Sequence, residues 1–117
     1  MDSKYLELEK RTQDFSIAVR NFCLLCKHDL INREYIKQVV RSAGSVGANY
    51  IEANDSLGVN DKKMKMRISK KEAKETCYWL THILTYHNEE LEQNRLSLLK
   101  EANELMLIFA AILRKLD

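Results

Sequence analysis

The chain has 117 residues, 45% hydrophobic and 31% charged, with a net charge of +2. That length suits one domain, and that apolar content is enough for a buried core, which excludes a disordered chain. With no proline and three glycines there are too few turn residues for a hairpin-rich β-domain, and no apolar run nears the ~20 residues of a membrane-spanning helix.

The first segment with helical apolar spacing is expected near residues 3–28. Leu8, Phe15 and Phe22 recur every seven residues, with Ala18, Val19, Leu25 and Cys26 between them. Its opening stretch, MDSKYLELEKR, lacks the apolar centre of a secretory signal, so a cytoplasmic location with reduced thiols is expected. Cys23 and Cys26 form a CxxC pair, but Cys77 stands alone, and His28, His82 and His87 complete no metal-ligand spacing. The cysteines therefore read as small buried hydrophobes.

The second segment is expected near 33–57. Ile36, Ala43, Tyr50 and Leu57 repeat every seven residues, with Val39, Val40, Val46 and Gly47 filling the stripe. Asn32 is placed to cap its start. Gly44-Ser45-Val46-Gly47-Ala48-Asn49 places two glycines beside a serine, yet a phosphate-binding loop needs GxxxxGK[ST] between a strand and a helix. Two glycines inside a helix cost ~1 kcal/mol each relative to alanine, and close approach of a neighbouring helix is the expected compensation. Arg41, Ser45, Asn49 and Glu52 fall on one face. They are either a solvated flank or a partly buried hydrogen-bond network at a helix or subunit contact.

Gly58, suited to a left-handed helix end, and Asn60, a second capping residue, separate this segment from a third near 61–87. There Met66, Ala73, Leu80 and His87 share a stripe with Cys77, Ile83 and Leu84. Residues 59–75 hold seven basic side chains (Lys62, Lys63, Lys65, Arg67, Lys70, Lys71, Lys74) against three acidic ones (Asp61, Glu72, Glu75). The excess positive charge of the chain therefore lies in this segment. Lys63, Arg67, Lys70 and Lys74 follow i, i+4, i+7, i+11 spacing on one face, joined by Lys62 and Lys71. Such a face can follow RNA or DNA phosphates or simply be solvated. Met64 and Met66 read as gap-filling core residues.

Asn88 and the charged EELEQNR are expected to connect to a fourth segment near 94–116. Its stripe joins Ala102, Phe109 and Leu116 to Leu99, Leu105, Met106, Ile112 and Leu113. Four heptad-patterned segments of similar length with short connections imply an all-α, antiparallel up-down-up-down four-helix bundle. The Glu-x-x-His pairs of a di-iron bundle are missing, as are nucleophile–base pairs and cofactor motifs. The expectation is thus a non-enzymatic protein without cofactor or metal.

Two stretches resemble one family. Arg41-Ser42-Ala43-Gly44-Ser45-Val46-Gly47-Ala48-Asn49-Tyr50-Ile51-Glu52-Ala53 is similar to its helix-two signature. Ile68-Ser69-Lys70-Lys71-Glu72-Ala73-Lys74-Glu75-Thr76, followed by Tyr78-Trp79-Leu80, is similar to its helix-three pattern. The family is that of bacterial four-helix-bundle proteins encoded in intervening sequences of 23S ribosomal RNA genes. The resemblance implies a homopentamer, with Ser45, Asn49, Glu52, Glu72 and Glu75 in structural roles at helix or subunit contacts. It extends to the accessory proteins of diversity-generating retroelements, basic pentamers that bind nucleic acid and a reverse transcriptase, although those are more strongly basic than this +2 chain. The expected partners are further copies of the chain and RNA or DNA. The alternative is a scaffold whose basic patch meets a reverse transcriptase or another acidic protein.

Overall fold

The computed structural model describes residues 3–117; Met1 and Asp2, part of the N-terminal stretch read above, lie outside them. Four helices follow one another: α1 (Ser3–Leu25), α2 (Leu30–Asn54), α3 (Val59–His82) and α4 (Glu89–Leu116). Each packs on its neighbours in the order α1–α2–α3–α4–α1, and the backbones of the diagonal pairs stay apart. Cross-helix partners fix the directions. Arg11 meets Glu101 and Glu104, Asn54 meets Glu9, Thr76 meets Ser42, and Lys63 meets Asp117. Asn54 and Glu9, and Lys63 and Asp117, each set the end of one helix against the start of its neighbour. Across α2–α3 the pairs Arg41–Glu72, Val46–Ser69 and Glu52–Lys65 run in opposite senses, so the bundle runs up-down-up-down as expected. Its long dimension is 46 Å, in keeping with ~1.5 Å of rise per helical residue.

The core lies along the predicted heptads. Phe22, Phe109, Met66, Leu80, Leu105, Val19, Val39 and Val46 are fully enclosed, each such apolar side chain contributing about 1.5–3 kcal/mol through removal from water. Tyr50 and Phe109 link α2 to α4 with ring centroids 5.6 Å apart. The stripes fail at their ends and flanks: Leu25, Val40, Leu57 and Leu84 are exposed, as is Met64, which therefore fills no core gap.

The connections differ most from expectation. Asp29, not Asn32, caps α2, its Oδ1 accepting the Asn32 N–H at 2.8 Å. Gly58 is not a left-handed helix end: it is the residue before α3, with extended backbone at φ −161°, ψ 167° and no side-chain cap, and Asn60 lies inside the helix. Helix α3 stops at His82, five residues before the expected end, because Ile83 turns extended and Tyr86 and His87 adopt φ of 52° and 63°. His87 is therefore a turn residue, although it continues the apolar period. The stretch EELEQNR is helix from its first residue, not connection. Asn88 Oδ1 accepts the Leu91 N–H, and Glu89, Glu90 and Glu92 complement the positive end of the helix dipole.

Candidate functional site

The seam between α2 and α3 is built from small and hydroxylated residues. Ser42 Oγ and Thr76 Oγ1 lie 2.8 Å apart in the core, and Thr76 also donates to the Glu72 carbonyl. Ser69 Oγ donates across the seam to the Val46 carbonyl at 2.9 Å. At its outer edge Arg41 reaches Glu72 at 3.0 Å and Glu75 at 2.5 Å, and Lys65 reaches Glu52 at 3.3 Å. The hydrogen bond to Glu75, followed by the negative charges of Glu72 and Glu75, raises the Arg41 guanidinium above its ordinary range against partial desolvation. The polar row of α2 thus divides. Arg41 and Glu52 cross to α3, whereas Asn49 donates to the Ser45 carbonyl of its own helix.

The two glycines also separate in role. A Cβ on Gly47 would lie 2.9 Å from Thr12 Oγ1 and 3.2 Å from Thr12 Cβ, so α1 and α2 approach closely there. A Cβ on Gly44 would meet only Ser16 Oγ, at 3.8 Å. That is ordinary contact, and close packing does not require this glycine.

On the outer side of α3, Arg67, Lys70, Lys71 and Lys74 are exposed, while Lys62 and Lys63 are half-buried. Lys63 is held by Asp117 at 3.0 Å. Arg67, Lys70, Lys71 and Lys74 border a shallow groove of about 530 Å³ against α4, where Arg114 adds a fifth cation and Asp117 is the one acidic lining residue. Arg114 was not apparent from the sequence as part of this face, because the contact of α3 with α4 is what brings it there. Among the described residues no ion pair engages Lys70, Lys71, Lys74 or Arg114. The two glutamates of α3 are turned toward α2 and Arg41, which leaves this face positive.

Elsewhere, polar groups serve the bundle. Arg11 binds Glu101 through two hydrogen bonds and Glu104 through a third, joining α1 to α4. Asn32 is fully buried and ties the α3–α4 connection to α2. Burial pushes the Cys23 thiol up to about 12, with the neighbouring Cys26 adding to it, and pushes Cys26 up to about 11. Both are buried and protonated at neutral pH, as expected of small core residues. Among the described residues no group of three or more His, Cys, Asp or Glu is placed to hold a metal ion, and no helix is long and apolar enough to cross a membrane.

These features define an all-α bundle with a polar α2–α3 seam and one basic face. Residues 4–110 match the family of 23S rRNA-intervening sequence proteins, and the chain belongs to that family. It is also similar to a crystal structure, described as a protein of unknown function from the S23 ribosomal protein family of Bacteroides thetaiotaomicron. The two share 26% identity with a TM-score of 0.75, over 95% of this chain and 98% of the other. No protein of curated function matches the chain.

Proposed function

We propose that this protein is a non-catalytic, oligomeric helical module that binds RNA or DNA through the basic face of α3. The observation that carries this reading is the α3–α4 groove, where five cations meet one carboxylate. Phosphate contacts supply sequence-independent affinity and need no catalytic group or enclosed pocket. In the ring implied by the family resemblance, each copy presents the groove once, so weak contacts add by avidity.

The test is binding of labelled RNA and DNA at increasing salt. Replacing Arg67, Lys70, Lys71 and Lys74 together by glutamine is expected to abolish binding while leaving the melting temperature and oligomer size unchanged. Wild-type log affinity should fall linearly with log salt, with a slope of about −0.7 to −0.9 per phosphate engaged. A quadruple variant that binds as well as wild type makes the stripe a solvated face. Recovery of one acidic protein by pull-down, surviving nuclease treatment, points instead to the scaffold role.

A further inference from the structure

The basic face of α3 does not end at Lys74. Arg67, Lys71, Lys74 and Tyr78 follow i, i+4, i+7, i+11 and lie within about 60° of arc and about 16 Å of helix. Tyr78 is 57% exposed. Its ring lies 4.4 Å from that of His82, one turn on, and meets the Trp79 ring edge-on at 4.9 Å. His82 is fixed in turn by its Nδ1, 2.7 Å from the Tyr78 carbonyl oxygen, and by Tyr35 of α2, whose ring is 5.3 Å away. Tyr35 also backs Trp79 at 6.1 Å. An exposed ring is thus flanked by two others, Trp79 and His82, which Tyr35 holds in turn, at the end of a row of cations.

We infer that Tyr78 is a stacking platform for an unpaired base, and that the nucleic acid carried by this face is single-stranded or looped. The inference rests on the nucleic-acid reading above and adds its substrate class. Phosphates on Arg67, Lys71 and Lys74 bring the next nucleotide over Tyr78. A base can lie flat on that ring only if its own face is free, which a continuous duplex does not offer. Charge favours the same occupant. Glu72 and Glu75, the nearby carboxylates of α3, are both engaged by Arg41, so no unpaired carboxylate of this helix opposes a phosphate beside Tyr78.

Three probes suffice: an oligouridylate, an oligothymidylate and a blunt-ended DNA duplex. Binding is followed by anisotropy and by the fluorescence of Trp79, the single tryptophan. Wild type should bind both single strands more tightly than the duplex, and only the single strands should quench Trp79. Tyr78→Ala should weaken single-strand binding about five- to hundred-fold with duplex affinity and oligomer size unchanged, while Tyr78→Phe retains binding. The inference is overturned if Tyr78→Ala binds single strands as wild type does, or loses both kinds of ligand equally. A change in oligomer size also overturns it, since the ring is then a subunit contact. Unquenched Trp79 in the bound wild type overturns it without any variant. Should the Arg67, Lys70, Lys71 and Lys74 variant lose binding while Tyr78→Ala does not, the platform falls and the basic-face reading stands. Should wild type bind none of the probes, both fall.

Discussion

The side-chain amide of Asn32 closes a reciprocal pair of hydrogen bonds with the backbone of Leu84. Its Oδ1 accepts the Leu84 N–H at 2.9 Å, and its Nδ2 donates to the Leu84 carbonyl at 3.0 Å. The second Nδ2 hydrogen reaches the Lys27 carbonyl, also at 3.0 Å. One fully buried amide in the first turn of α2 therefore satisfies three backbone groups in two connections. Leucine is close to asparagine in size but cannot bond, so Asn32→Leu leaves those groups unpaired at about 1–3 kcal/mol for each one denied water. The expected result is a loss of at least about 2 kcal/mol in urea unfolding, with an unchanged m-value. A loss under about 0.5 kcal/mol contradicts this account.

Gly47 and Gly44 should respond oppositely to alanine. At Gly44 the added methyl finds ordinary contact, and the helix propensity gain of up to about 1 kcal/mol should appear as stabilisation. At Gly47 it meets Thr12, a fully buried β-branched residue whose Oγ1 is already held by the Glu9 carbonyl at 2.8 Å. Thr12 has little freedom to move, and Gly47→Ala should destabilise by about 1–3 kcal/mol. Adding Thr12→Ala removes the obstructing oxygen, so the double variant should be more stable than the sum of the singles predicts.

The heptad positions of Phe15, Phe22, Ala43, Met66, Ala73, Ala102 and Phe109 were legible because burial and helical period coincide there. The ends were not. Leu84 and His87 continue the period of α3 past its end, since periodicity does not register a backbone that leaves the helix to meet Asn32. Asp29 and Asn32 both suit a cap, and which one caps depends on the Asn32 amide being claimed by Leu84. The basic residues of α3 could be placed on a face by spacing alone. Arg114 joins them only through helix packing, and Tyr78 was read within a family motif, not as part of that face. Thr12 escaped notice, and Ser42, Ser69 and Thr76 were read only within the family motifs, because small hydroxylated residues carry no apolar signal, although Ser42 and Thr76 flank the stripes they join.

Arg41 should matter more to stability than an exposed arginine usually does. Its partner Glu72 has only 9% of its side chain exposed, while Arg41 itself is 51% exposed. Arg41→Ala strands a nearly buried carboxylate, an effect reduced by the water that already reaches the pair. A loss of about 1–2 kcal/mol in chemical unfolding is expected, and Arg41→Ala with Glu72→Gln should recover part of it. Equal stability of the Arg41→Ala variant and wild type contradicts a structural role for this pair.

Thiol chemistry offers a check on the first helix. With Cys23 and Cys26 both buried and raised to about 12 and about 11, neither presents a thiolate at neutral pH. Iodoacetamide on the folded protein should leave both unmodified over hours and modify them promptly in denaturant, as read by intact mass and peptide mapping. Rapid alkylation of either in the native state contradicts its enclosure.

The α3–α4 connection should give the protein a specific acid sensitivity. Arg95 donates to both carboxylate oxygens of Glu92, and Thr85 donates a third hydrogen bond. These bonds, with the Arg95 charge, lower Glu92 from its ordinary 4.5 to about 2, outweighing desolvation, which acts in the other direction. The folded state thus binds this proton less readily than the unfolded chain. The resulting stabilisation is present in full above about pH 4.5 and is lost as pH falls toward about 2. Glu92→Gln cannot titrate, so the melting temperature of wild type should fall more steeply than that of the variant across this window. The difference between the two should stay constant from pH 6 to 8, roughly two units clear of the ordinary carboxylate range. Parallel curves down to pH 2.5, below most carboxylate titrations, would show that Glu92 is not held by Arg95 and Thr85 in the folded protein.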